Sequence, residues 1–364
     1  MKVLLVRGNP RKNGFTQYLV NLFAAGLLEA GARVTDVDLA AEEYSLKPCL
    51  GCYHCWLIKP GQCVHHDPME NLLPVILEAD ALVCATPVYY FAMSSCLKNF
   101  FERTFPLAAQ GLETSKMGIL RNRLRSPAKW ENKKFISIAV GALRAREAYE
   151  PLNQTFRLIA DTLDMELGGQ ITRAESHLLP FKLSKPITLK RVEAAFLKAG
   201  REAGASGVLS AKTIAAAELA LSPDEQYFRT YANIFWETAV SMDATNTNSA
   251  KLQQRVSSDP DILMREMARS INPKATARLR AVLQFDFPDC QRHYRFTVDK
   301  GHCELKFEPT SSPDLRVTCA TDIWAALFMR KLNVAAALRQ GVIALEGDKS
   351  LFTRLDRYFP LPSV

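Results

Sequence analysis

Three stretches of this chain carry residue types and spacings that could do chemistry. The first is Gly8-Asn9-Pro10-Arg11-Lys12-Asn13-Gly14-Phe15-Thr16, which follows the apolar run Val3-Leu4-Leu5-Val6 and opens a segment of helical periodicity. A strand, a tight turn holding Gly, Pro and cations, and a helix that begins at a hydroxyl residue form a cradle for an anion. The turn's N–H groups and the open donors of the first helical turn converge there, and the helix dipole favours negative charge. Arg11 and the Thr16 hydroxyl add hydrogen bonds to that anion. A surface turn with ordinary capping has the same composition, so this stretch decides nothing alone. The second is Pro87-Val88-Tyr89-Tyr90-Phe91, at the end of the apolar run Ala81–Thr86. Three adjacent aromatics either cover the edge of a sheet or make a wall against a flat apolar ring. The third holds Cys49, Cys52 and Cys55, with two residues between each and the next, and Cys63 beyond the Pro60-Gly61 turn. Compact spacing lets one looped segment wrap an iron–sulfur cubane. Zinc fits less well, because structural zinc sites draw on separated Cys/His pairs. Reduced thiols that only shape the loop are the remaining reading.

Length and composition bound what surrounds these stretches. At 364 residues, two domains are expected, each able to bury a core. No apolar run of membrane-spanning length occurs. Nine cysteines and an N-terminus that enters a strand directly point to reduced thiols and a cytoplasmic protein. The net charge of +8 is mild. Part of it lies between Lys116 and Lys134, where seven Lys/Arg face Glu131 alone; this is a solvated loop or an electrostatic funnel for an anionic cofactor. No nucleic-acid motif accompanies it. His65, His66 and His177 have no partner spacing for a metal or a general base, and no Ser/His/Asp pattern occurs, which suits chemistry carried by a cofactor.

The elements that must position the three stretches alternate strand and helix as far as about residue 205. Strands are expected at 3–6, 32–39, 81–86 and 135–141, and helices at roughly 69–79, 93–104, 147–163 and 187–202. Repeated βα units imply an α/β domain with a doubly wound parallel sheet, and a ligand beyond the carboxyl ends of its strands. From 206 to about 243 the pattern is helical, with Tyr227, Tyr231, Ile234/Phe235 and Ala239 on one face. A polar linker at 244–249 follows. Beyond it the period becomes two, in runs such as Leu283/Phe285/Phe287 and Tyr294/Phe296/Val298, which predicts an antiparallel meander covered by helices at 321–329 and 349–359. The expected division is 1–205, a helical segment and linker at 206–258, and a smaller α+β domain at 259–364.

An anion cradle on one strand and an aromatic wall on its neighbour describe a site for flavin mononucleotide, FMN. The first half resembles the flavodoxin-like NAD(P)H-dependent FMN reductases, including their iron–sulfur flavoprotein branch. The likeness rests on the glycine turn, Cys49–Trp56, Pro60–Cys63, Asp67-Pro68-Met69, and Pro87–Phe91 with Leu97-Lys98-Asn99-Phe100. It implies strand order 2-1-3-4-5. It also implies phosphate contacts at Asn9, Arg11, Asn13, Gly14, Phe15 and Thr16, the flavin ring against Pro87, Val88, Tyr89, Tyr90 and Phe91, and Gly141 near the pyrimidine edge. Asn9 and Phe15 stand where the family has serine and asparagine, and the third loop is reduced to Gly141-Ala142-Leu143. The resemblance further implies NAD(P)H as reductant, a quinone, small-molecule or protein acceptor, a homodimer, and a [4Fe-4S] cluster on Cys49, Cys52, Cys55 and Cys63 in the iron–sulfur branch. The block from 261 to 360 resembles the sterol carrier protein fold through Pro313–Thr318, Ala326–Asn333 and Gly341–Asp348, which implies a tunnel for an apolar, lipid-like ligand. The leading expectation is an FMN-dependent NAD(P)H oxidoreductase. The alternatives are an iron–sulfur electron carrier and a lipid-binding protein with a flavodoxin-like scaffold.

Overall fold

The computed structural model describes residues 1–179, 186–222, 259–328 and 332–360, together with Glu225, Phe228, Arg229, Ala232 and Trp236. The chain divides into two compact units, one of Met1–Leu179 and Ile187–Phe228 and one built on Arg229–Val364. Residues 206–222 therefore belong with the first unit. The aromatic stripe from Tyr227 to Ala239 and the linker at 244–249 lie outside the described residues.

The first unit is flavodoxin-like. Strands β1 (Lys2–Arg7), β2 (Arg33–Asp38), β3 (Ala81–Pro87), β6 (Lys134–Val140) and β7 (Glu166–Arg173) form one parallel sheet in the order β2-β1-β3-β6-β7. This is the expected 2-1-3-4-5 order once β4 (Ala108–Thr114) and β5 (Leu120–Leu124) are set aside, because those two pair only with each other. The central strands are mostly apolar because both faces are covered; every residue of β3 is buried. Helices α3 (Met69–Glu78), α4 (Ser95–Glu102) and α5 (Glu150–Thr162) pack on one face through Leu72, Ile76, Leu97, Phe100 and Phe156. Arg7, buried at the end of β1, forks onto Asp36 of β2 (2.7 Å twice) and reaches Asn21 (2.8 Å) of α1 (Phe15–Glu29), fixing that helix against the strand ends.

Helix α1 meets α6 (Pro186–Ser206) backbone to backbone. A Cβ on Gly26 would lie 2.0 Å from the Leu197 carbonyl oxygen, and one on Gly200 would lie 1.9 Å from that of Phe23. Helix α7 (Ala211–Ala217) stops earlier than the alanine-rich pattern suggests, because Arg173 takes the carbonyls of Ala217 (3.1 Å) and Leu219 (2.7 Å) and Glu175 takes the N–H of Leu221 (2.6 Å).

The second unit has one sheet ordered β10-β9-β8-β11-β12, comprising β8 (Arg280–Phe287), β9 (Arg292–Asp299), β10 (His302–Lys306), β11 (Leu315–Cys319) and β12 (Ile343–Gly347). The meander holds for β8, β9 and β10, but β11 runs parallel to β8, so the expected all-antiparallel sheet is mixed. The chain crosses from β10 to the far side of β8, which strand periodicity does not reveal. Phe285, Phe287, Tyr294, Phe296 and Trp324 form the aromatic core beneath helices over Pro260–Arg269 and Thr321–Phe328. The expected terminal helix is broken into Lys349–Thr353 and Leu355–Tyr358. On the opposite face, buried Asp286 gathers Gln284, His293 and Arg316, each at 2.7 Å.

The α1–α6 crossing gives a direct test. Gly200→Ala forces the helices apart, and the first unit's denaturation midpoint should fall by the equivalent of about 2 kcal/mol or more. Chemical unfolding followed by circular dichroism measures this; an unchanged midpoint would contradict the close crossing.

Candidate functional site

The ends of β1, β3 and β6 come together at one edge of the sheet. Gly8 is the seam between the first two. Its N–H donates to the Ala85 carbonyl (2.7 Å), and its own carbonyl accepts from the Ser94 hydroxyl and the Cys96 thiol (3.3 Å). A Cβ here would lie 2.7 Å from Leu97 Cβ, so only glycine permits the approach. Ser94 also caps α4 through the Leu97 N–H, and its own N–H donates to Thr86 Oγ1 (2.9 Å). The glycine turn is thereby locked to the loop after β3. Within the turn Asn9 and Thr16 are buried, Gly14 and Phe15 half-buried, and Arg11 and Asn13 exposed. Asn9 donates to Gln17 Oε1 (2.7 Å) and to the Arg11 carbonyl (3.2 Å), while its Oδ1 is buried without a partner. Gly14 supplies no side-chain cap to α1, so the helix start presents its first-turn donors at the same place as Arg11.

The loop after β3 is a small hairpin. Tyr89 and Ala92 exchange backbone hydrogen bonds (3.0 and 2.9 Å), and the two residues between them, Tyr90 and Phe91, both have positive φ (46° and 63°). Pro87 is buried, Val88 is half-buried and donates to the Val140 carbonyl (2.9 Å), and the three aromatics are exposed. Between this hairpin and the loop after β6 lies an open pocket of about 280 Å³, lined by Val88, Tyr90, Phe91, Leu143 and Tyr149 together with the backbone of Gly141. Gly141 is required because Tyr149 lies against it; a Cβ would sit 2.5 Å from the Tyr149 ring. The Tyr149 hydroxyl donates to the Leu143 carbonyl (2.6 Å), and burial pushes the phenol up, so it stays protonated.

A buried ionic cluster holds this third loop. Arg173 and Glu175 are each 1 % exposed. Arg173 is pulled down by burial to about 10, still cationic at neutral pH, and Glu175 receives Arg144 (3.2 Å) and the N–H groups of Leu221 and Ser222. His177, which sequence spacing left without a role, lies near enough to Arg11 to feel its charge. Burial first, and then Arg11, lower its value to about 4, so the imidazole is neutral at physiological pH.

The cysteine segment sits apart from the pocket just described. Cys49, Cys52, Cys55 and Cys63 line one small cavity of about 20 Å³ together with Arg103. Burial raises the Cys55 thiol, and the neighbouring Cys63, Cys49 and Cys52 add to the effect. Arg103, 1 % exposed, clamps the segment by a fork onto Asp67 (2.6 and 3.0 Å) and a bond to the Lys47 carbonyl (2.6 Å). Trp56 donates to the Phe105 carbonyl (2.8 Å), and Gln110 of β4 donates to the Trp56 carbonyl (2.7 Å). Among the described residues no three His, Cys, Asp or Glu side chains are set around a single metal ion. The donor set of four thiols suits a cluster, whose bridging iron and sulfur atoms hold ligands further apart than one ion does. The basic stretch is not a plain loop, since its first part holds β5 and the turn that joins it to β4. Arg121 is tied to Glu113 (3.1 Å) and to the carbonyls of Asp161 and Thr162, and Arg125 donates to the Cys55 carbonyl (3.4 Å).

Comparison with known proteins agrees with the first-half expectation and corrects the second. Residues 1–168 match the family model of NADPH-dependent FMN reductases. Residues 246–362 match that of the alkyl sulfatase C-terminal domain, so the C-terminal likeness is to that family rather than to the sterol carrier proteins. An iron-sulfur flavoprotein of Methanocaldococcus jannaschii, MJ1083, is 35% identical over 107 residues, 29% of this chain and 53% of that protein. One from Archaeoglobus fulgidus is 30% identical over 118 residues, 32% of this chain and 52% of that protein. The chain thus spans about half the length of these curated relatives. A putative NAD(P)H-dependent FMN-containing oxidoreductase of Bacillus subtilis, YwqN, is 24% identical over 47% of this chain and 83% of that protein. Among solved structures, an NAD(P)H:quinone oxidoreductase from Methanothermobacter marburgensis matches at 16% identity and a TM-score of 0.39, over 56% of this chain and 94% of that one. The fold assignment rests on the sheet order itself. FMN and NAD(P)H are the pair expected from the sequence; the family that matches residues 1–168 names FMN and NADPH, and the Bacillus subtilis relative names FMN and NAD(P)H. Among the described residues no helix is long and apolar enough to cross a membrane.

The histidine beside the glycine turn has a measurable consequence. His177 is neutral in the fold and ordinary at 6.5 when unfolded, so the unfolded chain binds the extra proton and stability falls as pH drops from 6.5 towards about 4. His177→Gln should flatten that part of the stability–pH curve; an unchanged slope would show that His177 is not the group responsible.

Proposed function

We propose that the first unit is an FMN-dependent NAD(P)H oxidoreductase that passes reducing equivalents to a quinone or another small acceptor. The observation that carries this reading is the apolar pocket between the Tyr89–Ala92 hairpin and the Gly141 loop, together with a glycine turn that Gly8 ties to Ala85 and Ser94 on either side of that hairpin. The residues present fit the cofactor. The uncapped start of α1, the Thr16 hydroxyl and the Arg11 cation suit a phosphate, with Asn9, Asn13, Gly14 and Phe15 shaping the turn. Pro87, Val88 and Phe91 on one side and Gly141 on the other suit a planar ring. When bound, FMN accepts two electrons and a proton from the nicotinamide and releases them to the acceptor. The protein's part is to hold the phosphate, keep Tyr149 and the third loop in place, and leave the pocket mouth open to the second substrate.

A second reading, the iron–sulfur electron carrier, is favoured by the convergence of Cys49, Cys52, Cys55 and Cys63 on one cavity beside a buried arginine. In that reading these four thiolates hold a [4Fe-4S] cluster that relays single electrons. A homodimer is supported by exposed Leu50, Leu57 and Ile58 on the cysteine segment and Leu112 and Leu120 on the ribbon.

One preparation tests all three. Purified anaerobically, the full chain should take up FMN stoichiometrically, and NADH or NADPH should bleach its absorption and support menadione reduction. No flavin uptake would end the oxidoreductase reading. Iron and acid-labile sulfide near four per chain support the cluster, and absence of both removes it. A monomer mass in sedimentation excludes the dimer.

A further inference from the structure

Arg103, the residue that ends α4, has more donors than its clamp uses. Its side chain is fully buried, and two of its nitrogens serve the Asp67 carboxylate and the Lys47 carbonyl. The third, Nε, is buried with no hydrogen-bond partner. A buried polar group left unsatisfied is destabilising, and a buried ion pair is often no better for stability than apolar packing of the same volume. The turn around Asp67 also has backbone support, since the carboxylate accepts from the N–H groups of Lys47 (3.0 Å) and Met69 (3.1 Å). A guanidinium at this position is therefore more than the fold requires.

What it faces is sulfur. Arg103 lines the same small cavity as Cys49, Cys52, Cys55 and Cys63, and it is the one lysine or arginine among the described residues of that lining. Burial works against its cation, but the Asp67 carboxylate and the Cys63 sulfur together outweigh burial and keep the guanidinium charged. The loop around the cavity offers sulfur a second donor, because the Gly51 N–H points at Cys49 Sγ (3.5 Å). Left-handed turns at Gly51 and Tyr53 (φ 62° and 53°) fold the chain back between successive cysteines. We propose that Arg103 is a positioning residue that sets the reduction potential of a cluster on these four cysteines, through a charge-assisted hydrogen bond to the Cys63 sulfur. One-electron reduction adds a negative charge to the thiolate-ligated group and no proton. A cation bonded to one of its sulfurs therefore favours the reduced form and raises the potential. The inference rests on the iron–sulfur reading of the four thiols.

The test uses the full chain purified anaerobically, with iron and acid-labile sulfide measured first. Arg103→Lys keeps a cation for Asp67, but one compact ammonium cannot replace a planar fork that serves both the carboxylate and the sulfur. In a dithionite titration followed by electron paramagnetic resonance, the oxidised-to-reduced ratio at a fixed potential should rise about tenfold, equivalent to about 59 mV for a one-electron couple. An unchanged ratio would overturn the proposal. Arg125→Lys loosens the same segment at the Cys55 carbonyl rather than at a sulfur. A shift of equal size there would mean that loosening alone moves the potential, and would overturn it too. The wild-type chain gives a further readout that needs no variant. Labelled with arginine carrying the heavy nitrogen isotope and then reduced, it should show an arginine-nitrogen coupling to the cluster's electron spin in pulsed resonance. Absence of that coupling would contradict the proposal even if Arg103→Lys held no cluster. Wild-type protein without iron and sulfide would instead end the iron–sulfur reading, and this inference with it.

Discussion

The absence of a side chain at Gly8 is the constraint on which the site depends. Because nothing stands between the first turn and α4, Gly8 can bond through its N–H to the Ala85 carbonyl and through its carbonyl to Ser94 and Cys96. Those contacts set the distance between the glycine turn and the hairpin, and Ser94 carries the same restraint back to Thr86. Any larger residue would push Leu97 and the start of α4 away and separate the two loops that the proposed FMN site draws on. The third loop is held differently. It has too few glycines to fold back on itself, so a buried Arg173–Glu175 pair and the Tyr149 hydroxyl fix it from outside. Breaking a buried pair of this kind by removing one partner costs about 3–5 kcal/mol, which makes the loop rigid at the price of sensitivity to substitution.

The cysteine segment follows the same logic with a different anchor. Its backbone is irregular, and the fold supplies fixed points: Arg103 below, Trp56 against Phe105, and Gln110 and Arg125 from the ribbon. Desolvation works against the Asp67 carboxylate, but hydrogen bonds from Arg103 and the backbone outweigh it and hold that carboxyl below its usual value. The clamp is therefore intact at neutral pH and loosens only in acid, below the ordinary range of an aspartate.

Much of this was legible in the residues. The apolar runs of β1, β3 and β6 announce a parallel sheet, and the glycine turn and the aromatic cluster announce the candidate site at its carboxyl edge, because buried parallel strands leave an unmistakable hydrophobic signature. The β4–β5 ribbon did not show, since a two-stranded surface element rich in arginine looks like a loop. Strand β7 is half polar, with Gly168, Gly169 and Gln170 at its centre, and hides for a related reason. Tyr149 and Gly141 meet only in space, so neither the need for glycine nor the phenol's role could be read locally. Asp67 with Arg103, and Arg11 with His177, are likewise pairings of distant residues. The positive φ of Tyr90 and Phe91 runs against local preference, and such conflicts tend to gather where a protein does something beyond folding.

The most direct measurement of the central claim is a calorimetric comparison of FMN with riboflavin, which carries the same ring without the phosphate. If the uncapped helix start and Arg11 anchor the phosphate, FMN should bind one per chain and riboflavin at least about tenfold more weakly, the worth of one charge-assisted hydrogen bond. Equal affinities, or no binding of either, would contradict the account.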